Sequence, residues 1–152
     1  AEYIWKKCGC SCFSDDSGLE VDALGGAPGI YSARYAGEGH DFDRNISKLL
    51  HELSLLDAKA LIEGKAAPER TARFRCVVTL ILDGEAHFFE GSIEGHIAYS
   101  RSGNGGFGYD PVFIPDAFPD RSLAEVPEDV KNSISHRGEA LRKMAAWLRE
   151  RE

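Results

Sequence analysis

Three groups of residues in this sequence have the types and spacing that chemistry requires. The first is Asp15-Asp16-Ser17-Gly18, which we expect at the junction of a strand and a loop. Paired carboxylates in such a place can hold a hard cation through oxygen ligands, and one of them can deprotonate water. The hydroxyl and the glycine would let a phosphate group approach the backbone. Taken alone, however, the pattern favours a solvated acidic turn, because Asp, Ser and Gly are the usual turn formers.

The second group is the glycine-rich segment 103–110, GNGGFGYD. It contains the spacing G-x-G-x-x-G, but a dinucleotide-binding fingerprint follows a strand and opens a helix. Here Pro111 and an apolar segment follow instead, so we reject a dinucleotide site. The glycines and the two aromatic residues suit close backbone contact with a flat ligand and ring stacking. The alternative is a plain turn that packs Phe107 into the core.

The third group is Lys131 together with Ser135-His136-Arg137-Gly138, where we expect a helix to begin. The N-terminus of a helix attracts anions, and Lys, His and Arg side chains there add charge or hydrogen-bond donors. Ordinary capping by Ser135 with exposed basic neighbours is the simpler interpretation of each residue considered separately. Together, the three groups supply an acid for a metal, a loop for a flat ligand and donors for an anion. This combination predicts Mg²⁺, a base and phosphate, and hence a nucleotide phosphohydrolase.

Composition restricts the class of protein. The chain has 152 residues, which fits a single domain spanning residues 1–152, and its hydrophobic fraction of 43% is enough for one core. The net charge of −7 argues against a nucleic-acid partner and means that an anionic substrate needs a metal or local cations. We find neither a membrane-span pattern nor a signal-peptide pattern, so we expect no membrane partner and a cytoplasmic location.

Four cysteines are present, three of them in the run CGCSC at positions 8, 10 and 12. Structural zinc usually requires two pairs of ligands, and only Cys76 remains to complete such a set. We therefore favour small buried thiols over a metal site.

The hydrophobic periodicity predicts an α/β fold, with helices at both ends and a sheet containing a hairpin between them. The predicted helices are 1–7, 41–56 with Asp41 near its start, and 136–149 preceded by Ser135; the predicted strands or extended segments are 11–14, 19–23, 73–82, 85–97 and 112–114, with a turn at Asp83-Gly84.

Three motifs in this order resemble a known family. They are DDSGLEVDALGGAPGIYSARYAG at 15–37, GGFGYDP at 105–111 and KNSISHRG at 131–138. The chain resembles the non-canonical purine nucleoside triphosphate pyrophosphatases, the inosine triphosphatase or Ham1-like family. The resemblance implies an elongated mixed β-sheet flanked by helices, with the active site in a central cleft, and a homodimer. It also implies Mg²⁺-dependent hydrolysis of ITP, dITP and XTP to the monophosphate and pyrophosphate.

The same resemblance assigns roles to individual residues. Asp16 would bind the metal and accept the proton of the attacking water, and Ser17 would contact the substrate. The base and sugar pocket would consist of Phe107, Gly108, Tyr109 and Asp110, and nucleotide recognition would be completed by Lys131, His136 and Arg137. The role of Arg34, within SARYAG, stays open.

The family pattern also includes a motif that has no counterpart before Asp15. Family members begin with a Ser/Thr-x-Asn-x-x-Lys motif that binds the triphosphate, followed by a Glu that helps to bind the metal. Residues 1–7 also predict a helix without a capping residue. We therefore expect a chain that lacks the N-terminal part of the family domain. A purine-nucleotide-binding module without turnover is the alternative function, and a related phosphohydrolase with another substrate is a third.

Overall fold

An antiparallel sheet of four strands organises the chain in the computed structural model, which describes all 152 residues. The strands are β1 (Cys12–Val21), β2 (Thr71–Leu82), β3 (Glu85–Ile97) and β4 (Phe113–Pro115), and they pair in that order. The helices are α1 (Glu2–Cys8), α2 (Phe42–Ile62), α3 (Glu128–Ser133) and α4 (His136–Arg149). The predicted α/β fold is confirmed. Where the resemblance implies a mixed sheet, the three pairings within this chain are all antiparallel.

The hairpin of β2 and β3 forms the centre of the sheet. Thr71 pairs with His96 at one end and Leu82 with Glu85 at the other, without a bulge between them. Asp83 and Gly84 both have positive φ angles, of 51° and 83°, which a two-residue hairpin turn needs. The predicted hairpin is therefore confirmed.

The prediction of two short segments separated by an acidic turn is wrong for residues 11–23. A single strand, β1, runs from Cys12, opposite Ile81, to Val21, opposite Ala72. The residues Asp15 to Gly18 thus lie in the middle of a strand. Asp, Ser and Gly have low strand propensity, but propensity depends on context, and the apolar run of β2 offers a continuous pairing partner.

One face of the sheet carries the core. Since alternate residues of a strand share a face, Leu19 and Val21 lie on the same side as Cys76 and Val78. Near one end of the sheet this face packs with α2 and the segment around Phe113; near the other it packs with α4. The larger cluster includes Leu19, Val21, Ile46, Leu49, Leu53, Ala72, Ile97 and Phe113, and the smaller one consists of Cys76, Val78, Leu80, Ala140 and Met144.

Both long helices begin at the predicted capping residues. The Asp41 carboxylate accepts the N–H of Arg44 at 3.2 Å, and the Ser135 hydroxyl accepts the N–H of Gly138 at 3.2 Å. The bounds predicted for α4 are confirmed. Helix α2 continues past the predicted end at Leu56 to Ile62, because the residues that follow are good helix formers and the left-handed Gly64 comes only afterwards.

The cysteines differ from the prediction. Cys76 is buried as expected, but Cys8 and Cys10 are exposed and Cys12 is half-buried, so the expectation of small buried thiols is wrong for the CGCSC run. The cause is that α1, which leads into the run, buries none of its residues against the sheet. No three His, Cys, Asp or Glu side chains lie together in a way that could hold a metal ion. None of the helices combines the length and apolar character needed to span a bilayer.

The start of α4 lies directly on β3 at Gly91. A Cβ atom at this position would overlap the carbonyl oxygen of His136 and lie 2.8 Å from the amide nitrogen of Ala140. Real Cβ atoms do not approach backbone this closely. A glycine is therefore required here for the helix to reach the sheet.

We predict that Gly91→Ala lowers the free energy of unfolding by at least about 2 kcal/mol, because backbone on both sides must shift. Gly138→Ala is the matched control within α4: its Cβ would lie 3.1 Å from the flexible end of Arg142 and at ordinary contact distance, 3.5 Å, from Cβ of Ser135, and alanine favours the helix. Urea unfolding followed by circular dichroism measures both. Equal stability of the two variants would contradict the role assigned to Gly91.

Candidate active site

The two adjacent aspartates lie on opposite faces of β1. Asp15 faces α4, where its Oδ2 lies 2.5 Å from Nη2 of Arg137. Asp16, the next residue of the strand, faces the other side. Its carboxylate is exposed and forms no hydrogen bond or ion pair with the chain. Asp15 is thus neutralised by a cation, whereas Asp16 keeps a free carboxylate.

On the Asp16 face, the acidic residues around Arg73 are engaged by arginines, whereas Glu90 on β3 is exposed and forms no ion pair. Glu20 lies 3.6 Å from Arg75 and 3.8 Å from Arg73. Arg73 also donates to Asp22 and Glu94 at 3.0–3.2 Å, and these hydrogen bonds raise the pKa of its guanidinium. Asp16 is therefore the one carboxylate on this face of β1 that is available to a ligand.

The free carboxylate of Asp16 suits a Mg²⁺ ion that is bound partly by the protein and partly by the substrate. This ion usually keeps several waters and takes one or two carboxylates together with phosphate oxygens of the substrate. The residues present do not form a cage that would hold the ion alone, in line with the lack of a cluster of three ligands. They suit an ion that is bound together with a triphosphate.

In the glycine-rich segment, the ring of Phe107 is exposed to solvent and lies beside the ion pair of Lys131 and Asp110. The Asp110 carboxylate is 6% exposed, accepts the N–H of Phe107 at 3.1 Å and forms an ion pair with Lys131. The ammonium group of Lys131 lies 5.2 Å from the centroid of the Phe107 ring, which is 79% exposed. The alternative that Phe107 packs into the core is therefore wrong. An exposed ring beside a cation is a stacking platform for a flat ligand.

Tyr109 points the opposite way, into the core. Its ring is 2% exposed and meets the edge of Phe42 at 5.8 Å, and its hydroxyl donates to the carbonyl of Ser32 at 2.6 Å. Burial raises the pKa of this phenol. The Tyr109 side chain thus fixes the glycine-rich segment to the core, and only its backbone is free to contact a ligand.

Ser32 joins this anchor to β1. Its hydroxyl accepts the N–H of Leu19 at 2.9 Å and donates to the carbonyl of Gly29 at 2.6 Å. Its carbonyl accepts from Tyr109, as described above. The strand that carries Asp16 is therefore connected through one buried serine to the segment that carries Phe107.

Asn45 of α2 forms hydrogen bonds with the backbone around Ser32 and so stabilises the same connection. Its amide nitrogen donates to the carbonyls of Ser32 and Ala33 at 3.3 and 3.0 Å, and its oxygen accepts the N–H of Ala36 at 2.7 Å. The side chain is 1% exposed. The sequence motifs do not identify Ser32 or Asn45, although a polar residue on the apolar face of helix 41–56, next to Ile46, is a signal for Asn45.

His136 opens α4 and stacks on Phe74, with ring centroids 5.5 Å apart and planes inclined by 19°. Burial, and then the charge of Arg137, lower the pKa of His136, although the nearby Asp110 and Asp15 oppose this shift. Its Nδ1 is buried and has no hydrogen-bond partner. At neutral pH the imidazole is therefore uncharged, and it keeps one N–H as a donor.

The structure brings two pairs of predicted residues into direct contact. Asp110 meets Lys131, and Arg137 stands beside Asp15. His136 lies near both pairs, since both aspartates influence its pKa. Ser17 lies in the cross-strand row of Cys76 and Gly91, on which the first turn of α4 rests.

Asp16 lies apart from these residues, on the opposite sheet face. Gly108 lies against Phe42, beside a surface cleft of about 450 Å³ between the start of α2 and the glycine-rich segment. Arg34 is exposed and lies 5.4 Å from the ring of Tyr31, outside these contacts.

Comparisons with known proteins agree with the three motifs. The sequence matches the model of the Ham1 family over residues 1–147. Proteins named dITP/XTP pyrophosphatase from Flavobacterium johnsoniae and Porphyromonas gingivalis are 46% and 49% identical to the chain over 148 residues, which is 97% of this chain and 71% of each relative.

Solved structures show the same likeness. The Staphylococcus aureus Ham1 protein superposes with a TM-score of 0.83 at 39% identity, over 97% of this chain and 71% of that one. A HAM1 protein from Coxiella burnetii gives 0.84 at 37% identity, over 99% and 73%. Because the family model covers nearly all of its residues and the fold is shared, the chain belongs to the Ham1 family.

Proposed function

We propose that the protein hydrolyses non-canonical purine nucleoside triphosphates, namely ITP, dITP and XTP, to the nucleoside monophosphate and pyrophosphate. The relatives named dITP/XTP pyrophosphatase support this reaction. The observation in the structure that carries it is the exposed Phe107 ring above the ion pair of Lys131 and Asp110. This arrangement offers a purine a stacking surface, with His136 close to the same ion pair and Arg137 next to His136 in the chain.

Recognition of the base follows from the donors at the start of α4. The 6-oxo group of hypoxanthine or xanthine accepts hydrogen bonds, whereas the 6-amino group of adenine donates them. The guanidinium of Arg137 can only donate, and the uncharged imidazole of His136 donates through its one N–H. A site built to satisfy a hydrogen bond discriminates more strongly than an apolar pocket does, so these donors favour the oxo purines.

Asp16 is the group we propose as the proton acceptor. Its free, exposed carboxylate can take a proton from a water molecule while the water oxygen attacks the α-phosphorus, and pyrophosphate leaves with the electrons of the broken P–O bond. Within this chain β1 stands at one end of the strand order. We propose that a nucleotide lying across β1 contacts α4 with its base and Asp16 with its phosphates. Ser17, on the α4 side of β1, would contact the substrate between them.

Mg²⁺ is the cofactor we propose, bound by Asp16 together with the substrate phosphates. When bound, the ion would neutralise charge that develops on the phosphate oxygens. Within the chain, Lys131 provides a cation beside the ring that would bind the base. From the resemblance, we further propose that the protein forms a homodimer and acts in the cytoplasm.

A nucleotide-binding module without turnover is the second candidate. It is favoured by one observation: Asp16 is the only free carboxylate on its face of β1, and no cluster of three metal ligands forms. A binding module needs the Phe107 platform and the donors of α4 but no proton acceptor. Measurement of turnover separates the two candidates.

We predict that this chain releases pyrophosphate from ITP with Mg²⁺, and much less from ATP. Asp16→Asn should lower that turnover at least about a hundredfold, the usual size of a general-base contribution, while the fold is kept. Pyrophosphate release by a coupled assay, with EDTA as the metal-free condition, measures this.

Asp15→Asn is the matched control, because it removes a carboxylate one residue away on the other face. Because the ion pair of Asp15 with Arg137 is exposed, its loss should lower turnover less than about tenfold. Unchanged turnover in Asp16→Asn would remove Asp16 from the proposed role. ITP binding without release of pyrophosphate by the wild-type chain would favour the binding module.

We predict that His136→Ala or Arg137→Ala reduces the preference for ITP over ATP at least about tenfold, because each removes a donor that faces the 6-oxo group. Arg142→Ala, at an exposed position of the same helix, should leave the ratio unchanged. The ratio of kcat/KM values for ITP and ATP is the measurement. An unaltered ratio in both donor variants would place discrimination elsewhere.

We predict that Tyr109→Phe raises the KM for ITP several-fold with little change in kcat, since the hydroxyl holds the segment that presents Phe107. Loss of this hydrogen bond should also lower the free energy of unfolding by about 1 kcal/mol. Tyr31→Phe, at an exposed tyrosine, is the control and should change neither quantity. Lower stability with an unchanged KM would show that Tyr109 has only a structural role.

A further inference from the structure

Two exposed thiols remain without a role in the nucleotide chemistry. Cys8 is the last residue of α1, and Cys10 follows after one glycine; both are free and exposed. Exposed cysteines can react as thiolates, whereas buried ones are inert. The position of these two thiols relative to each other therefore matters.

Gly9 bends the chain between them. It caps α1 in the left-handed conformation, with φ 67° and ψ 11°, and its N–H donates to the carbonyl of Trp5 at 2.7 Å. A residue with helical backbone angles, such as Gly9, places the Cα atoms of the residues before and after it about 5.5 Å apart. The Cα atoms of Cys8 and Cys10 are thus within the range of about 4.4–6.8 Å that disulfides require. In agreement, Sγ of Cys10 turns back to lie 3.5 Å from the carbonyl oxygen of Cys8.

The other two cysteines, Cys12 and Cys76, are less accessible and are not placed to pair as Cys8 and Cys10 are. Cys12 is half-buried within β1, and its thiol contacts the carbonyl of Ala1 at 3.5 Å. Cys76 is fully buried under α4. Around Gly9, by contrast, a Cβ atom would meet nothing within 4 Å, so a reagent can approach this turn from solvent.

We propose that Cys8 and Cys10 form a reversible dithiol–disulfide pair that exchanges with low-molecular-weight disulfides such as glutathione disulfide. The thiolate of one cysteine attacks the external disulfide, which releases one glutathione thiolate and leaves a mixed disulfide on the protein. The second cysteine then attacks the protein sulfur and releases the other glutathione. Two protein thiols are oxidised and one glutathione disulfide is reduced to two thiols, which take up the two protons.

The pair lies at the hairpin end of the sheet, away from the proposed nucleotide site. Ser11 accepts the N–H of Asp83 at 3.2 Å, and the Trp5 ring packs against Gly84. Gly91, on which the first turn of α4 rests, is seven residues from Gly84 along β3, or about 23 Å at the usual rise of a strand, and Asp16 is four residues along β1 from Cys12, or about 13 Å. The proposal thus does not depend on the proposed pyrophosphatase activity.

Incubation of the chain with a mixture of reduced and oxidised glutathione, followed by acid quenching and peptide mass mapping, tests it. We expect an internal bond between Cys8 and Cys10, seen as the loss of two hydrogen atoms from that peptide, with Cys12 and Cys76 still reduced. Dithiothreitol should reverse the change. Persistent glutathione adducts on Cys8 and Cys10 without an internal bond, or a bond that involves Cys12, would overturn the proposal.

Variants make the test specific. Cys10→Ser should keep a glutathione adduct at Cys8, since no second thiol displaces it, whereas Cys12→Ser should behave as the wild type. Gly9→Asn tolerates a positive φ and should close the internal bond normally, but Gly9→Val should slow closure about tenfold because a β-branched residue is strained in this conformation. Equal closure rates in the two Gly9 variants would contradict the role of the turn.

Discussion

Contact between the first turn of α4 and the backbone of β3 determines where His136 and Arg137, the residues proposed to recognise the base, are placed. A side chain at position 91 would push the helix away, so the absence of one lets His136 approach the sheet and stack on Phe74. Burial at this contact is also the main reason why the pKa of His136 is lowered. The same approach brings Arg137 to Asp15 on β1. One glycine on a central strand thereby fixes the position and the charge state of the donors.

A buried hydrogen-bond network couples the remaining parts of the site. The hydroxyl of Ser32 accepts the N–H of Leu19 on β1, and its carbonyl accepts the hydroxyl of Tyr109 from the glycine-rich segment. The side-chain amide of Asn45 on α2 donates to the same carbonyl. Each of these polar groups is satisfied, which is necessary because an unpaired polar group in the core costs free energy. Strand, helix and segment therefore keep one relative position, and an exposed Phe107 can be presented by a loop that is otherwise rich in glycine.

The sequence was sufficient to predict what depends on local patterns. The bounds of α4, the start of α2 and the hairpin at Asp83 follow from capping residues, apolar periodicity and turn chemistry, and the three motifs identified the family. It was insufficient where tertiary contacts decide. The residue types of Asp15 to Gly18 predict a turn, yet these residues pair with the apolar strand β2 and form part of strand β1. The two aromatic residues of the glycine-rich segment also cannot be distinguished from sequence, yet Phe107 is exposed, whereas Tyr109 is buried and its hydroxyl donates to the carbonyl of Ser32.

Alternation along β1 gives two neighbouring carboxylates different electrostatic roles. Asp15 offsets the charge of Arg137 and so belongs to the side of the sheet that would recognise a base. Asp16 meets no cation and keeps the lone pairs that a proton or a hard metal ion needs. If both aspartates were on one face, Arg137 would be shared between them and the free carboxylate would be lost. A strand, rather than the turn that the residue types suggest, is therefore the local structure that can separate recognition from proton transfer within two consecutive residues.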